Sequence, residues 1–272
     1  MNLPNLAELN IYPVKSLRGH TVAACLVERP GLENDRRFMI VDPAGRFVTQ
    51  REYARMALIT PSSQADTLAL SAPGMEEISL EVKRSGKHMN VEIWSSPAVD
   101  SIDQGDMPAA WLSDFLKMPV RLVRMADHFQ RTLDPKYALQ ADDHVSFADG
   151  YPILIVSQES LDDLNSRMSQ PVPMNRFRPN LVVQGVAPHA PAGFAEDGWK
   201  RIRIGQVEMA LVKPCARCNV PAINQDTAEI GREPNTTLAT FRKRDGKVFF
   251  GVNVIPITTG KLQIGDSLEI LE

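Results

Sequence analysis

Val212-Lys213-Pro214-Cys215-Ala216-Arg217-Cys218-Asn219-Val220-Pro221 carries two of the chain's three cysteines in a C-x-x-C spacing, with Lys213 and Arg217 beside them. Cationic neighbours lower a thiol pKa and favour the thiolate, the form that attacks or that binds a soft metal. Pro214 and Pro221 fix φ on either side and block a continuing helix, so the pair is expected on a shaped loop after a strand. The residues alone leave four readings open. Structural zinc needs four ligands, and Cys25 is the only other cysteine, with no second C-x-x-C or H-x-x-x-H in the chain. A thioredoxin-like pair should open a helix, and Asn219-Val220-Pro221-Ala222-Ile223 is a poor helix start. Two buried cysteines acting as small hydrophobes are the plainest reading. The fourth is a single thiolate bound to a redox-active metal.

Outward from this stretch, 199–204 and 207–212 pair as a hairpin across Gly205-Gln206 and deliver the chain to the cysteines. The run 151–156 reads as a buried strand. Ser157 can cap the following helix, with Glu159 in its first turn and Leu161, Leu164 and Met168 as its apolar stripe. A strand is expected over 181–184, then an Ala-, Pro- and Gly-rich loop over 186–198. Asn235 can cap a short helix with Leu238 and Phe241 inward, and 248–254 and 267–271 read as closing strands. Upstream, strands are expected over 6–12, 23–28, 38–42, 68–71, 78–83 and 90–94. Pro43-Ala44-Gly45-Arg46 should turn 38–42 into a hairpin with 47–49. A helix over 108–118 ends at Pro119 and leads to a strand over 120–124, whereas 126–150 is polar and irregular. The first part reads as a small all-β barrel.

Apolar residues at 43% and charged residues at 23% suit a globular protein with a proper core. A net charge of −3 argues against a general nucleic-acid binder, which carries a basic surplus. Three cysteines make no disulfide framework. The start lacks a basic n-region with an apolar h-region, and no apolar run is long enough to span a bilayer. The expectation is a cytoplasmic protein with neither nucleic-acid nor membrane partners.

Three basic motifs lie far apart: Lys15-Ser16, Asp35-Arg36-Arg37 and Arg176-Phe177-Arg178-Pro179-Asn180. Each follows or precedes an expected strand, where loops can converge. Arginine offers a planar fork that suits phosphate, lysine a point charge, and Ser16 and Asn180 neutral hydrogen bonds. With Arg217, they would surround a thiolate with an anion pocket. Alternatively these residues are simply solvated, and Arg36 pairs with Asp35. G-x-G-x-x-G and G-x-x-x-x-G-K-[ST] are absent, which excludes the usual nucleotide loops. The five histidines, His20, His88, His128, His144 and His189, show no metal-ligand spacing.

Four signatures in order then carry a resemblance. They are Tyr12-Pro13-Val14-Lys15-Ser16 with Asp35-Arg36-Arg37-Phe38-Met39-Ile40-Val41; Ser157-Gln158-Glu159-Ser160-Leu161-Asp162-Asp163-Leu164-Asn165-Ser166-Arg167 with Phe177-Arg178-Pro179-Asn180; Cys215-Ala216-Arg217-Cys218; and Phe250-Gly251 with Ile264-Gly265-Asp266. Over nearly its whole length the chain resembles the MOSC-domain family with its N-terminal β-barrel domain, including the mitochondrial amidoxime-reducing and bacterial YcbX-type branches. The resemblance implies a mixed, β-rich α+β fold. An N-terminal β-barrel-like domain would occupy 1–120, and a MOSC β-barrel domain with a few peripheral helices 121–272.

It further implies the molybdenum cofactor (Mo-molybdopterin), with Cys218 as the metal's thiolate ligand and catalytic residue. Lys15, Ser16, Arg36, Arg178 and Asn180 match positions holding the pterin or its phosphate, and Ala216 and Arg217 match residues lining the cofactor. Cys215 would be structural, or would support the ligand loop from behind without touching the metal. The implied activity is reduction of N-hydroxylated substrates (amidoximes, hydroxylamines, N-hydroxylated bases). The alternative is a sulfur or cofactor carrier using Cys218 without turnover. Where mitochondrial members have Thr-Thr-x-Asp after the ligand, this chain has Pro221-Ala222-Ile223-Asn224. Asn253 replaces a tyrosine, and Gly150-Tyr151 stands where small hydroxyl residues occur. These positions would shape substrate range. Some bacterial members add a ferredoxin-type domain, for whose cluster this chain has no cysteines to spare. Electrons are therefore expected from a separate ferredoxin-, flavodoxin- or cytochrome-type protein with its reductase.

Overall fold

In the computed structural model, residues 3–185 and 193–272 are described. The expected loop over 186–198 falls partly outside them, at 186–192, and its end, Ala195–Gly198, forms a 3-10 turn. Among the described residues the largest sheet has nine strands. Its main path runs His20–Thr21, Asn5–Ile11, Leu181–Gln184, Ile153–Ser157, Lys247–Pro256, Val207–Ala216, Arg201–Ile204 and Leu268–Ile270. Ile153–Ser157 and Leu181–Gln184 are parallel, with Ile155 opposite Leu181, and such a pair needs a crossover. The helix Gln158–Ser166 supplies it. Leu161 and Leu164 pack there with Val156, Phe177, Val182 and Phe250.

Ser157 caps this helix as its sequence suggests, accepting the Ser160 amide at 3.2 Å. Its hydroxyl also donates to the fully buried Glu196 carboxylate at 2.8 Å. Ser157→Ala therefore removes a cap and a partner of a buried carboxylate together. The expected loss is about 2 kcal/mol, read as a lower urea midpoint at unchanged m-value.

A second group of strands carries the chain's other core. Phe38–Val41, Arg121–Met125, Ser96–Asp103 and His88–Ile93 form one sheet, and Thr60–Gln64, Thr67–Ser71 and Ile78–Glu81 another. The helix Asp106–Leu116 buries Trp111, Leu112 and Phe115 against Leu17, Ile40, Met56 and Leu68, and Lys117 closes it in a left-handed conformation. The fold is β-rich with three short α-helices among the described residues. The two halves of the chain interleave. Asn5–Ile11 joins the strands of the second half, Ala24–Glu28 pairs with Gly260–Gln263, and Arg121–Met125 sits between Phe38–Val41 and Ser96–Asp103.

Three local expectations are corrected. The hairpin of 38–42 with 47–49 shrinks to a Val41–Phe47 bridge, because the Asp42 side chain takes the Ala44 and Arg46 amides at 2.9 Å and closes the turn itself. The strand before the cysteines extends through Ala216, so Cys215 lies on it and only Cys218 lies beyond. Pro214 is tolerated there because the ladder shifts register between Pro214 and Ala216. Asn235 does not cap the short helix Asn235–Phe241, whose N-cap is Pro234. Its side chain is used elsewhere.

Candidate functional site

Loops from both halves meet at one cleft. Lys15, Ser16, Arg36, Arg178, Asn180, Ala216, Arg217 and Cys218 all line it. Ser16, Arg36 and Arg178 have φ of 64°, 48° and 56°, a left-handed backbone that costs a non-glycine residue about 1–3 kcal/mol and concentrates at functional sites.

Tyr12 organises two of the cations. Its buried ring lies between the Arg36 and Arg178 guanidiniums, each 4.3 Å from the ring centre, and its hydroxyl donates to the Pro179 carbonyl at 3.1 Å. Burial pushes this hydroxyl up to about 12 despite both cations, so it stays neutral. Arg36 donates to Asp35 at 2.6 Å and to Asn180 Oδ1 at 3.0 Å. Burial opposes its charge, but the Asp35 carboxylate outweighs that and holds its pKa above the usual value. Arg178 differs: among the described residues no carboxylate pairs with it. Burial lowers its pKa to about 10, which leaves it charged at neutral pH.

Asn180 serves as a junction. Its Oδ1 accepts from Arg36 and from the Leu154 amide at 3.2 Å, and its Nδ2 donates to the Asn10 carbonyl at 3.1 Å. It thus ties Arg36 to two strands of the large sheet.

Lys15 is 4% exposed. Its ammonium donates to the Phe147 carbonyl at 2.9 Å and to Asp149, whose other carboxylate oxygen takes Arg51 at 3.2 Å. Burial lowers the Lys15 pKa to about 8 although Asp149 opposes the shift. Asp149 is largely exposed, and although desolvation within the cleft would raise its pKa, Lys15, Arg51 and Arg36 hold it well below the usual carboxylate range. Arg131 fixes this segment from beneath, donating to the Ser146, Ala148 and Asp149 carbonyls. It lies in the stretch 126–150 that the sequence left unassigned. Lys15 loses its charge as pH rises through about 8, so the cleft's affinity for an anion should fall over that interval. Calorimetric titration with inorganic phosphate below and above pH 8 reads this directly; equal affinities would remove Lys15 from the anion site.

At the thiols, Arg217 donates to Cys215 Sγ at 3.1 Å and to the Phe177 carbonyl at 2.7 Å, while its Nε is buried without a partner. Asn235 Nδ2 holds the Cys218 carbonyl at 2.9 Å, and its own Oδ1 is likewise unpartnered. Both cysteines are partly exposed to the cleft and no disulfide is formed. Cys25 is buried elsewhere, and burial pushes its thiol up to about 12, so it is an inert core residue.

Two residues of the basic motifs do not reach the cleft. Arg37 pairs with Glu28, and Arg176 donates to the Pro221 and Glu233 carbonyls. Of the histidines, His88 and His128 both meet Asp100, at 2.8 and 3.0 Å, outside the cleft; His189 lies outside the described residues. Among the described residues, no group of three or more His, Cys, Asp or Glu side chains is arranged to hold a metal. Sequence reasoning missed Asp149, Arg51, Trp94 and Asn235 as site residues. Asn235 did carry a polar signal before an apolar run, but it was read as a helix cap.

A β-rich fold whose thiol-bearing loop faces a cleft lined by cations defines the class. The chain belongs to the MOSC family: the MOSC domain matches residues 142–269, and the MOSC N-terminal beta barrel domain matches residues 3–119. It is 32% identical to mitochondrial amidoxime-reducing component 1 of Homo sapiens, over 98% of this chain and 82% of that protein. It is 33% identical to mitochondrial amidoxime reducing component 2 of Bos taurus, over 96% and 81%. For component 2 of Rattus norvegicus the values are 34%, 94% and 80%, so in each case the likeness spans both domains.

Proposed function

We propose that the protein is a molybdenum-cofactor-dependent oxidoreductase that reduces N-hydroxylated compounds. The observation that carries this reading is the meeting, in one cleft, of the accessible Cys218 thiol and the half-buried Arg178, which has no carboxylate partner among the described residues. A partly desolvated guanidinium with no carboxylate beside it is suited to pair with an anion supplied from outside. The unpartnered Arg217 Nε points to the same need for an acceptor. A metal at Cys218 would take its remaining ligands from a non-protein group, since no protein cluster stands there among the described residues. A pterin dithiolene bearing a phosphate meets all three demands.

In this reading Cys218 supplies the thiolate, a soft ligand suited to the metal. Lys15, Arg36 and Arg178 neutralise the phosphate and pterin, Ser16 and Asn180 frame them, and Ala216 and Arg217 line the approach to the ligand. When bound, the cofactor supplies the two-electron redox chemistry. The overall reaction breaks the substrate's N–O bond, consumes two electrons and two protons, and releases the oxygen as water. The names of the relatives, amidoxime-reducing components, support this reaction class. The electron donor is a separate redox protein, and the free thiols suit a reducing compartment such as the cytoplasm.

The test is elemental analysis of protein purified from a host that makes the cofactor, followed by reduction of a model amidoxime with an artificial electron donor. Stoichiometric molybdenum with turnover is expected. Absence of molybdenum from such a host would overturn the reading and direct attention to a persulfide on Cys218, the mark of a sulfur carrier.

A further inference from the structure

Tyr151 lines the cleft without taking part in the cation network described above. Its half-buried ring is held in place. It packs, with Val212, on the small core that includes Ile255. Tyr137 meets it edge-on at 5.9 Å between ring centres, and the Lys213 ammonium lies 5.6 Å from its ring centre. Lys213 is anchored in turn: its ammonium sits 4.5 Å from the Tyr137 ring centre, and its carbonyl accepts from Asn253 Nδ2 at 3.1 Å.

These contacts join two parts of the site. Asp149, which pairs with Lys15 and Arg51, lies two residues before Tyr151, and Lys213 lies two residues before Cys215. The ring therefore connects the segment that carries the Asp149 carboxylate to the strand that carries the thiols. The hydroxyl is the part left unused. Among the described residues it has no hydrogen-bond partner, yet its oxygen is not buried. Other donors of the cleft are committed: Lys15 to Asp149, Arg36 to Asp35 and Asn253 to the Lys213 carbonyl. Desolvation, with Tyr137 and Asp134 nearby, pushes the Tyr151 pKa above the usual value, so the hydroxyl keeps its proton and stays a donor.

We infer that Tyr151 is a further catalytic residue whose hydroxyl donates a hydrogen bond to the oxygen of the substrate's N–O bond. This rests on the reductase reading above. The N–O bond breaks as two electrons arrive, negative charge gathers on the departing oxygen, and that oxygen leaves as water. A fixed neutral donor at this oxygen strengthens as the charge develops, so it lowers the barrier more than it tightens ground-state binding. The phenol retains its own proton, and the two protons of the overall reaction come from solvent.

Tyr151→Phe tests this, because it removes the hydroxyl and keeps the ring against Tyr137 and Lys213. The variant is expected to fold and to carry molybdenum as wild type does. In steady-state kinetics with acetamidoxime, kcat should fall roughly 10- to 100-fold. Calorimetric titration of the molybdenum-loaded protein, without an electron donor, gives a readout apart from turnover. The Kd for acetamidoxime should rise about three- to tenfold in the variant, whereas the Kd for acetamidine, which lacks the oxygen, should stay within about twofold. Equal weakening for both ligands, a variant with wild-type kcat and amidoxime affinity, or a wild type that binds no acetamidoxime would overturn the assignment. If the wild type binds acetamidoxime but does not reduce it, the reductase reading falls, and the comparison of amidoxime with amidine alone decides whether Tyr151 holds an N–O oxygen.

Discussion

Cys218→Ser should abolish reduction of a model amidoxime and change the coordination of bound molybdenum, whereas Cys215→Ser should keep most of both. The two thiols share a cleft but hold different places. Cys215 lies on the strand Val207–Ala216 and receives a hydrogen bond from Arg217, which a serine oxygen can also accept. Cys218 lies beyond the strand, and its loop is held through its carbonyl by Asn235, so replacing the sulfur leaves that anchor intact. Loss of function in Cys218→Ser is therefore expected without loss of thermal stability. A missing metal ligand should reduce turnover by roughly 100-fold or more, against a change of less than about threefold for Cys215→Ser. X-ray absorption at the molybdenum edge reads coordination independently of turnover. Equal losses in the two variants would reject Cys218 as the sole protein ligand.

Arg178→Ala should weaken cofactor retention while leaving the apoprotein as stable as wild type, or more so. The opposite signs follow from one fact: the guanidinium is desolvated, with Tyr12 against its face and no carboxylate partner among the described residues. Removing it relieves a desolvation cost in the empty protein and deletes charge-assisted hydrogen bonds in the loaded one. Losing such bonds should weaken retention roughly 10- to 100-fold, seen as faster loss of molybdenum during dialysis. Arg178→Lys keeps the charge without the fork and should fall between. Arg36→Ala behaves differently, because it strands Asp35 and takes a partner from Asn180 and should lower the melting temperature. Molybdenum content in Arg178→Ala equal to wild type would exclude a phosphate contact.

Much of the architecture was legible locally. The strand over 181–184, the Ser157 cap and the helix after it depend on apolar periodicity and near-neighbour hydrogen bonds, which the sequence displays directly. The hairpin before the cysteines was legible for the same reason, though not its length, because tolerance of Pro214 depends on a register shift in the partner strand. The final pairing of Gly260–Gln263 with Ala24–Glu28 was not anticipated, since nothing local to either strand specifies a partner that far along the chain.

The site divides along the same line. Lys15, Ser16, Arg36, Arg178, Asn180, Ala216, Arg217 and Cys218 were named from motifs, and the sequence by itself determined the family and the chemistry on offer: a pair of neighbouring thiols and several forked cations. Only the tertiary structure decided which cations keep their charge free. It gave Arg36 to Asp35, took Arg37 and Arg176 out of the cleft, and left Arg178 without a carboxylate. It also brought in Asp149, 134 positions from Lys15, and set Arg51 and Trp94 on the facing wall. The physical reason is that charge pairing and desolvation depend on distance in space. A motif fixes the type of a side chain, whereas the packing of the two interleaved halves fixes what surrounds it.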